Sequence, residues 1–144
     1  MGVGFSYVET LHGSYHTLQA PGDEFPMSLS LRLEVPDVAR YALDGTARIE
    51  GELEAPGLVE RAPFRGVVVL EPLKARVTYD FRFEIAGREH RFHGEREVDL
   101  LRPARSATTL PGRIYRDEQE IARAVLRFDV REGLLELLRS VRPI

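Results

Sequence analysis

Two charged side chains stand where apolar ones are expected, and they hold most of the chemistry open to this chain. Glu9 falls between Tyr7 and Leu11 on the apolar face of an alternating run, and Arg96 falls between Gly94 and Val98 on a face of the same kind. An unpaired charge taken out of water costs at least several kcal/mol, so each requires a partner. Two readings follow: the two charges neutralise each other or nearby polar groups inside the fold, or they flank a cavity and anchor the polar end of a lipophilic ligand.

The other candidates for chemistry are weaker. His12 and His16 share one strand face but lie about 13 Å apart at roughly 3.3 Å per residue, too far for one metal ion. His90 and His93 fall on opposite faces, and all four histidines are expected at the surface. Ser14 lies between His12 and His16, but adjacency along a strand is not a catalytic triad. No Gly-x-Ser-x-Gly, His-Glu-x-x-His or phosphate-loop motif occurs. The chain has no cysteine, which excludes disulfides, thiol nucleophiles and cysteine-ligated metals. No catalytic residue, metal site or cofactor is assigned.

The elements that must position Glu9 and Arg96 are strands. Val77, Tyr79, Phe81, Phe83 and Ile85 alternate with Arg76, Thr78, Asp80, Arg82 and Glu84, a period of two with rings on one face. Ala86-Gly87 turns the chain, and Phe92, Gly94 and Val98 continue the pattern on the return strand. Similar alternation runs through residues 5–17, 27–35 and 46–54, with turns at Pro21-Gly22-Asp23 and Ala55-Pro56-Gly57. Residues 64–70 form a run rich in β-branched residues, as in a strand buried on both faces or set in a barrel wall. Asp37 is placed to cap one or two helical turns before Asp44-Gly45. Residues 101–112 read as an irregular loop, followed by a hairpin over 112–116 and 120–128 closed at residues 117–119. Asp129 and Glu132 fit a capping box, and Leu134, Leu135, Leu137, Leu138 and Val141 recur at helical spacing before Pro143. A short amphipathic helix is therefore expected to end the chain.

About eight strands joined by short turns predict an all-β, mainly antiparallel fold. Closing the sheet removes its sticky edges, so the expectation is a single lipocalin-like β-barrel spanning residues 1–144. A chain of 144 residues suits one domain, and 43% hydrophobic with 30% charged residues is ordinary for a globular protein. The net charge of −3 argues against nucleic acid as a partner. The basic residues are nearly all arginine, which is read as a coding bias. No transmembrane segment or secretory signal is read from the sequence, and a cytoplasmic location is the expectation.

Several short motifs run through the chain in a fixed order. Tyr7-Val8-Glu9-Thr10-Leu11-His12-Gly13 opens it; Leu33-Glu34-Val35-Pro36-Asp37 and Arg40-Tyr41 follow, and Gly45 to Gly51 form the next strand. Then come Arg76-Val77-Thr78-Tyr79 through Gly87, Phe92, Gly94 to Val98, Thr108-Thr109-Leu110, Arg123-Ala124-Val125-Leu126 and Leu137-Leu138-Arg139-Ser140-Val141-Arg142. In this order the chain resembles an accessory β-domain found beside, or fused after, flavin oxidoreductases of the glucose–methanol–choline class related to cholesterol oxidase. Leu11 replaces that domain's usual methionine, and Pro103-Ala104-Arg105 replaces an acidic-aromatic stretch. The resemblance implies a setting in lipid or sterol oxidation, with a flavin oxidoreductase as partner. It brings no flavin site, because no Gly-x-Gly-x-x-Gly follows a strand.

The expected function is a non-catalytic binding domain for a lipophilic small molecule. Tyr7, Tyr79, Phe81, Phe83 and Phe92 would form its apolar wall, and Glu9 and Arg96 its polar end. Ring after ring on one face equally describes a filled core. The alternative is thus a structural or interaction module that docks on another protein or forms a homodimer and binds no ligand. A small barrel enzyme with Glu9 as acid or base ranks third, because the sequence sets no second polar group beside Glu9.

Overall fold

The computed structural model of the protein describes residues 4–97, 109–127 and 142–143. Eight long strands follow one another: β1 (Phe5–Thr17), β2 (Phe25–Val35), β3 (Thr46–Ala55), β4 (Val59–Glu71), β5 (Arg76–Ile85), β6 (Arg88–Glu97), β7 (Thr109–Arg116) and β8 (Gln119–Arg127). Each pairs antiparallel with the next, and residues His12 to Thr17 of β1 pair back onto β8. The wall is therefore closed, an up-and-down barrel of eight strands in which every long strand has two neighbours. Closure answers the edge problem that an open sheet of this length would present to other chains.

The meander gives the barrel two unlike ends. Tight turns close β3–β4, β5–β6 and β7–β8, and residues 18–24 join β1 to β2, at what is here called the hairpin end. At Ala86-Gly87 and at Asp117-Glu118 both turn residues have positive φ, which matches the right-handed twist of the flanking strands. Tyr15 helps seal this end: its hydroxyl donates to the Pro56 carbonyl at 2.7 Å, and its ring lies 5.6 Å from that of Phe25. At the opposite end the connections are bulkier. Helix α1 (Val38–Asp44) joins β2 to β3, and a 3-10 turn (Pro72–Lys74) joins β4 to β5. The Asp37 carboxylate accepts from the Ala39 amide at 3.0 Å, and Gly45 at φ 69° ends the helix, as the capping pattern requires.

Alternation along the strands decides what is inside. Leu11, Leu29, Leu31, Leu53, Phe64, Tyr79, Phe81, Phe92, Leu110, Ile114 and Leu126 are buried, while the residues between them carry a charged outer face. Residues 64–70 are a barrel wall rather than a strand buried on both sides: Phe64 and Val68 are buried, and Val67 and Val69 are half-buried.

Three expectations change. Thr109 to Pro111, read as loop, belongs to β7; pairing with β6 stops at Gly112, so Pro111 sits beyond that ladder and its missing N–H costs nothing there. Strand β4 begins at Val59, earlier than the β-branched run, with Pro63 exposed on the outer face. Arg142, read as the last turn of a helix, forms with Pro143 a two-residue strand, β9, paired to Phe5 and Ser6. The remainder of the expected terminal helix, from Asp129 to Val141, lies outside the described residues, as does Val98.

Candidate functional site

Strands β5 and β6 build the site as a ladder of inner pairs. Phe83 faces His90, Phe81 faces Phe92, Tyr79 faces Gly94, and Val77 faces Arg96, running from the hairpin end toward the helix end. The lower rungs are aromatic and packed on one another. Phe81 stacks on Phe64 at 4.0 Å and on Phe92 at 4.7 Å, between ring centroids, and Phe83 lies over the His90 ring at 5.5 Å.

A glycine in a neighbouring strand makes room for one ring: a Cβ on Gly112 would sit 2.3 Å from the Phe92 ring. A Cβ on Gly66 would instead meet the β5 backbone, 2.5 Å from the Phe81 Cα. Pairing large with small residues is how a narrow barrel fills its interior. Phe81 and Phe92 have no residual exposure, so this section is core.

The upper rungs differ. Glu9 comes from β1, four strands away from β5 around an eight-stranded wall, so its contact with Tyr79 crosses the interior. The Tyr79 hydroxyl donates to Glu9 Oε2 at 3.1 Å. Arg96 Nη2 lies 3.7 Å from Glu9 Oε1, and the Arg96 guanidinium carbon sits 5.4 Å from the centroid of the Tyr79 ring. Glu9 is only 7% exposed and the Arg96 side chain 13%. A carboxylate, a phenol and a guanidinium thus form one buried cluster that compensates its charges internally.

The cluster lies toward the helix end. Among the buried inner residues, the four with most residual exposure are Val77, Glu9, Leu33 and Val68, all nearer that end of their strands. The cluster therefore lies on the helix-end side of the packed rings, with Val68 and Val77 beside it as the partners of Tyr79 and Arg96.

Of the predicted site residues, Glu9, Tyr79 and Arg96 are brought together, while Phe81, Phe83 and Phe92 belong to the packed stack below. Tyr7 pairs through its backbone with Leu33, but its side chain lies outside the described residues. Tyr79 is also the second polar group that an acid–base role for Glu9 requires, a neighbour that sequence reasoning did not place there.

His90 was expected at the surface and is buried instead, its Nδ1 2.9 Å from the Arg88 carbonyl oxygen. Carrying the Phe92–Gly94 alternation back two residues would have found it. His12 is exposed, and His16 and His93 are half-buried. Among the described residues no group of three acidic, histidine or cysteine side chains could hold a metal ion.

The outer face is a lattice of ion pairs. Asp80 accepts from Arg91 Nε at 3.0 Å and contacts His93 Nδ1 at 2.9 Å. Burial pushes the Asp80 carboxyl up, but Arg91 and His93 outweigh it and hold the group below the usual carboxylate range. An open concavity of about 1030 Å³ lies on the outside of β2–β5, bordered by Ser30, Arg32, Glu50, Arg65 and Arg82. Of the predicted residues only Phe83 borders it. Among the described residues no helix is long and apolar enough to cross a membrane.

Comparison of the chain with protein families, with curated proteins and with solved structures found no match in any of the three. The likeness to the accessory domain of flavin oxidoreductases rests on the sequence motifs alone.

Proposed function

We propose that this protein is a non-catalytic binding domain for a lipophilic small molecule, taken up through the helix end of the barrel. The observation that carries this reading is the Glu9–Tyr79–Arg96 cluster: three hydrogen-bonding groups held across a largely apolar interior. Polar groups in such a place fix the orientation of a ligand whose body is held by apolar contact. Val68 and Val77 supply apolar neighbours level with the cluster, where they pair with Tyr79 and Arg96, and the stacked Phe81, Phe92 and Phe64 pack on its hairpin side. In the setting that the sequence motifs suggest, the domain would serve a flavin oxidoreductase acting on a lipid.

The test is thermal unfolding with and without a panel of long-chain lipids and sterols. A ligand at about one hundred times its Kd stabilises the folded state by roughly 2.7 kcal/mol, which is readily seen as a rise in Tm. An unchanged Tm across the panel would contradict the reading.

A second reading has its own support. The ring stack fills the middle of the barrel, while the open concavity lies on the outside of β2–β5. A module that packs on another protein without a ligand would keep its Tm in the lipid panel and shift it only with that partner.

A further inference from the structure

We propose that the outer wall formed by β7, β8 and β1 docks on an anionic lipid surface. The proposal goes beyond ligand uptake by the interior and does not depend on it.

Pairing across these three strands sets their outward side chains in rows. Arg113 faces Arg123, which faces His16. One outward position nearer the helix end, Pro111 faces Val125, which faces Ser14; the next position holds Arg127 beside His12. On the hairpin side Leu18 prolongs β1, its amide donating to the Ile121 carbonyl at 3.0 Å. Val125 is 43% exposed and Leu18 40%, so basic rows and exposed apolar side chains alternate down one face.

The charge of this wall is not balanced. Glu120 is the only acidic residue facing outward from the three strands, since Glu9 is buried inside the barrel. Its Oε1 serves two guanidiniums, 2.7 Å from Arg123 Nε and 3.9 Å from Arg113 Nε. Arg127 is exposed and forms no ion pair among the described residues. On β4 to β6, by contrast, Arg61, Arg76, Arg82 and Arg91 each have a carboxylate of their own.

Setting Arg113 opposite Arg123 costs stability, because like charges directly across a sheet repel. An anionic surface relieves that repulsion, and the surplus it would meet is local in a chain of net charge −3. The outside of a closed barrel is convex, which suits a fluid layer of headgroups better than a rigid partner. Long arginine side chains bend toward the phosphates while Val125 and Leu18, between them, meet the apolar boundary.

The test is co-sedimentation with vesicles of phosphatidylcholine, with and without phosphatidylserine, at low salt. The protein is expected to bind the anionic vesicles at least about tenfold more tightly, each arginine near the surface contributing roughly fivefold. That advantage should vanish at about 1 M salt, where the screening length is about 3 Å. Arg123→Gln with Arg127→Gln should weaken binding to the anionic vesicles about 25-fold. If that variant does not fold, Arg127→Gln alone breaks no ion pair and should weaken binding roughly fivefold. Arg48→Gln with Arg61→Gln makes the same charge change on β3 and β4 at exposed ion pairs, and should leave binding within about twofold. An equal loss in both double variants overturns the proposal, because the attraction would then belong to overall charge. Equal binding to the two kinds of vesicle, or to neither, overturns it as well. Tighter binding to soluble polyglutamate than to the anionic vesicles would assign the wall to an acidic protein instead.

Discussion

The two halves of the barrel interior are built on the same alternation and are put to different use. Toward the hairpin end, Phe64, Phe81 and Phe92 stack as buried rings, with Gly112 against Phe92, and Tyr15 ties the turn of β3 and β4 to the wall. Toward the helix end, the same strands turn Glu9, Tyr79 and Arg96 inward, and the neighbouring core residues keep a small exposure. A barrel that only needed stability would continue the rings, since replacing a buried ion pair with well-packed apolar groups is often neutral or stabilising. The contrast is what the proposed binding function draws on: the packed half supplies stability, and the charged half would be its site.

Mutations should separate the halves, and the largest effect belongs to the ring stack. Phe81→Ala removes a fully buried ring in contact with three others and should cost about 4 kcal/mol in urea unfolding. A cost under about 1 kcal/mol would mean that the rings surround empty space rather than each other. Next comes Arg96→Met, which leaves the Glu9 carboxylate buried beside an apolar side chain and should cost about 3 kcal/mol. The double variant Glu9→Leu with Arg96→Met should recover most of that loss, and a double-mutant cycle reads the coupling directly. Additive costs would show that each charge is satisfied independently of the other, and the two would not form one cluster. Gly112→Ala drives a Cβ against the buried Phe92 ring and should cost about 2 kcal/mol, with lost near-ultraviolet dichroism from the displaced ring.

The smallest effect lies on the outer wall. The Asp80 carboxyl titrates lower in the folded protein than in the unfolded chain. Its contribution is therefore present above the unfolded pKa of about 3.9 and is lost as pH falls through the lower folded value. Asp80→Asn should cost about 1 kcal/mol at pH 7 and nothing measurable at the acid limit, as unfolding at the two pH values will show.

Much of this arrangement was legible in the sequence because period-two alternation fixes which side chains share a face. That rule alone put Glu9, Tyr79, Phe81, Phe92 and Arg96 inside one barrel. It could not say which inner residues meet across the interior. The contact of Glu9 with Tyr79 joins positions far apart in the chain, and depends on strand tilt and stagger that no local pattern encodes. His90 was misplaced because residue type outweighed its position on the inner face. Thr109 to Pro111 was misread because Pro and Gly signal a loop, whereas a strand tolerates them where one ladder ends. That Phe81 and Phe92 are packed core while Tyr79 meets Glu9 was hidden for a further reason: filled and hollow barrels share one hydrophobic pattern.

Native mass spectrometry of the protein as purified tests the central claim most directly. The account predicts a folded species carrying a mass of a few hundred daltons that is released on unfolding and is identified as a lipophilic molecule. A species of bare chain mass that stays bare after incubation with long-chain lipids and sterols would contradict it.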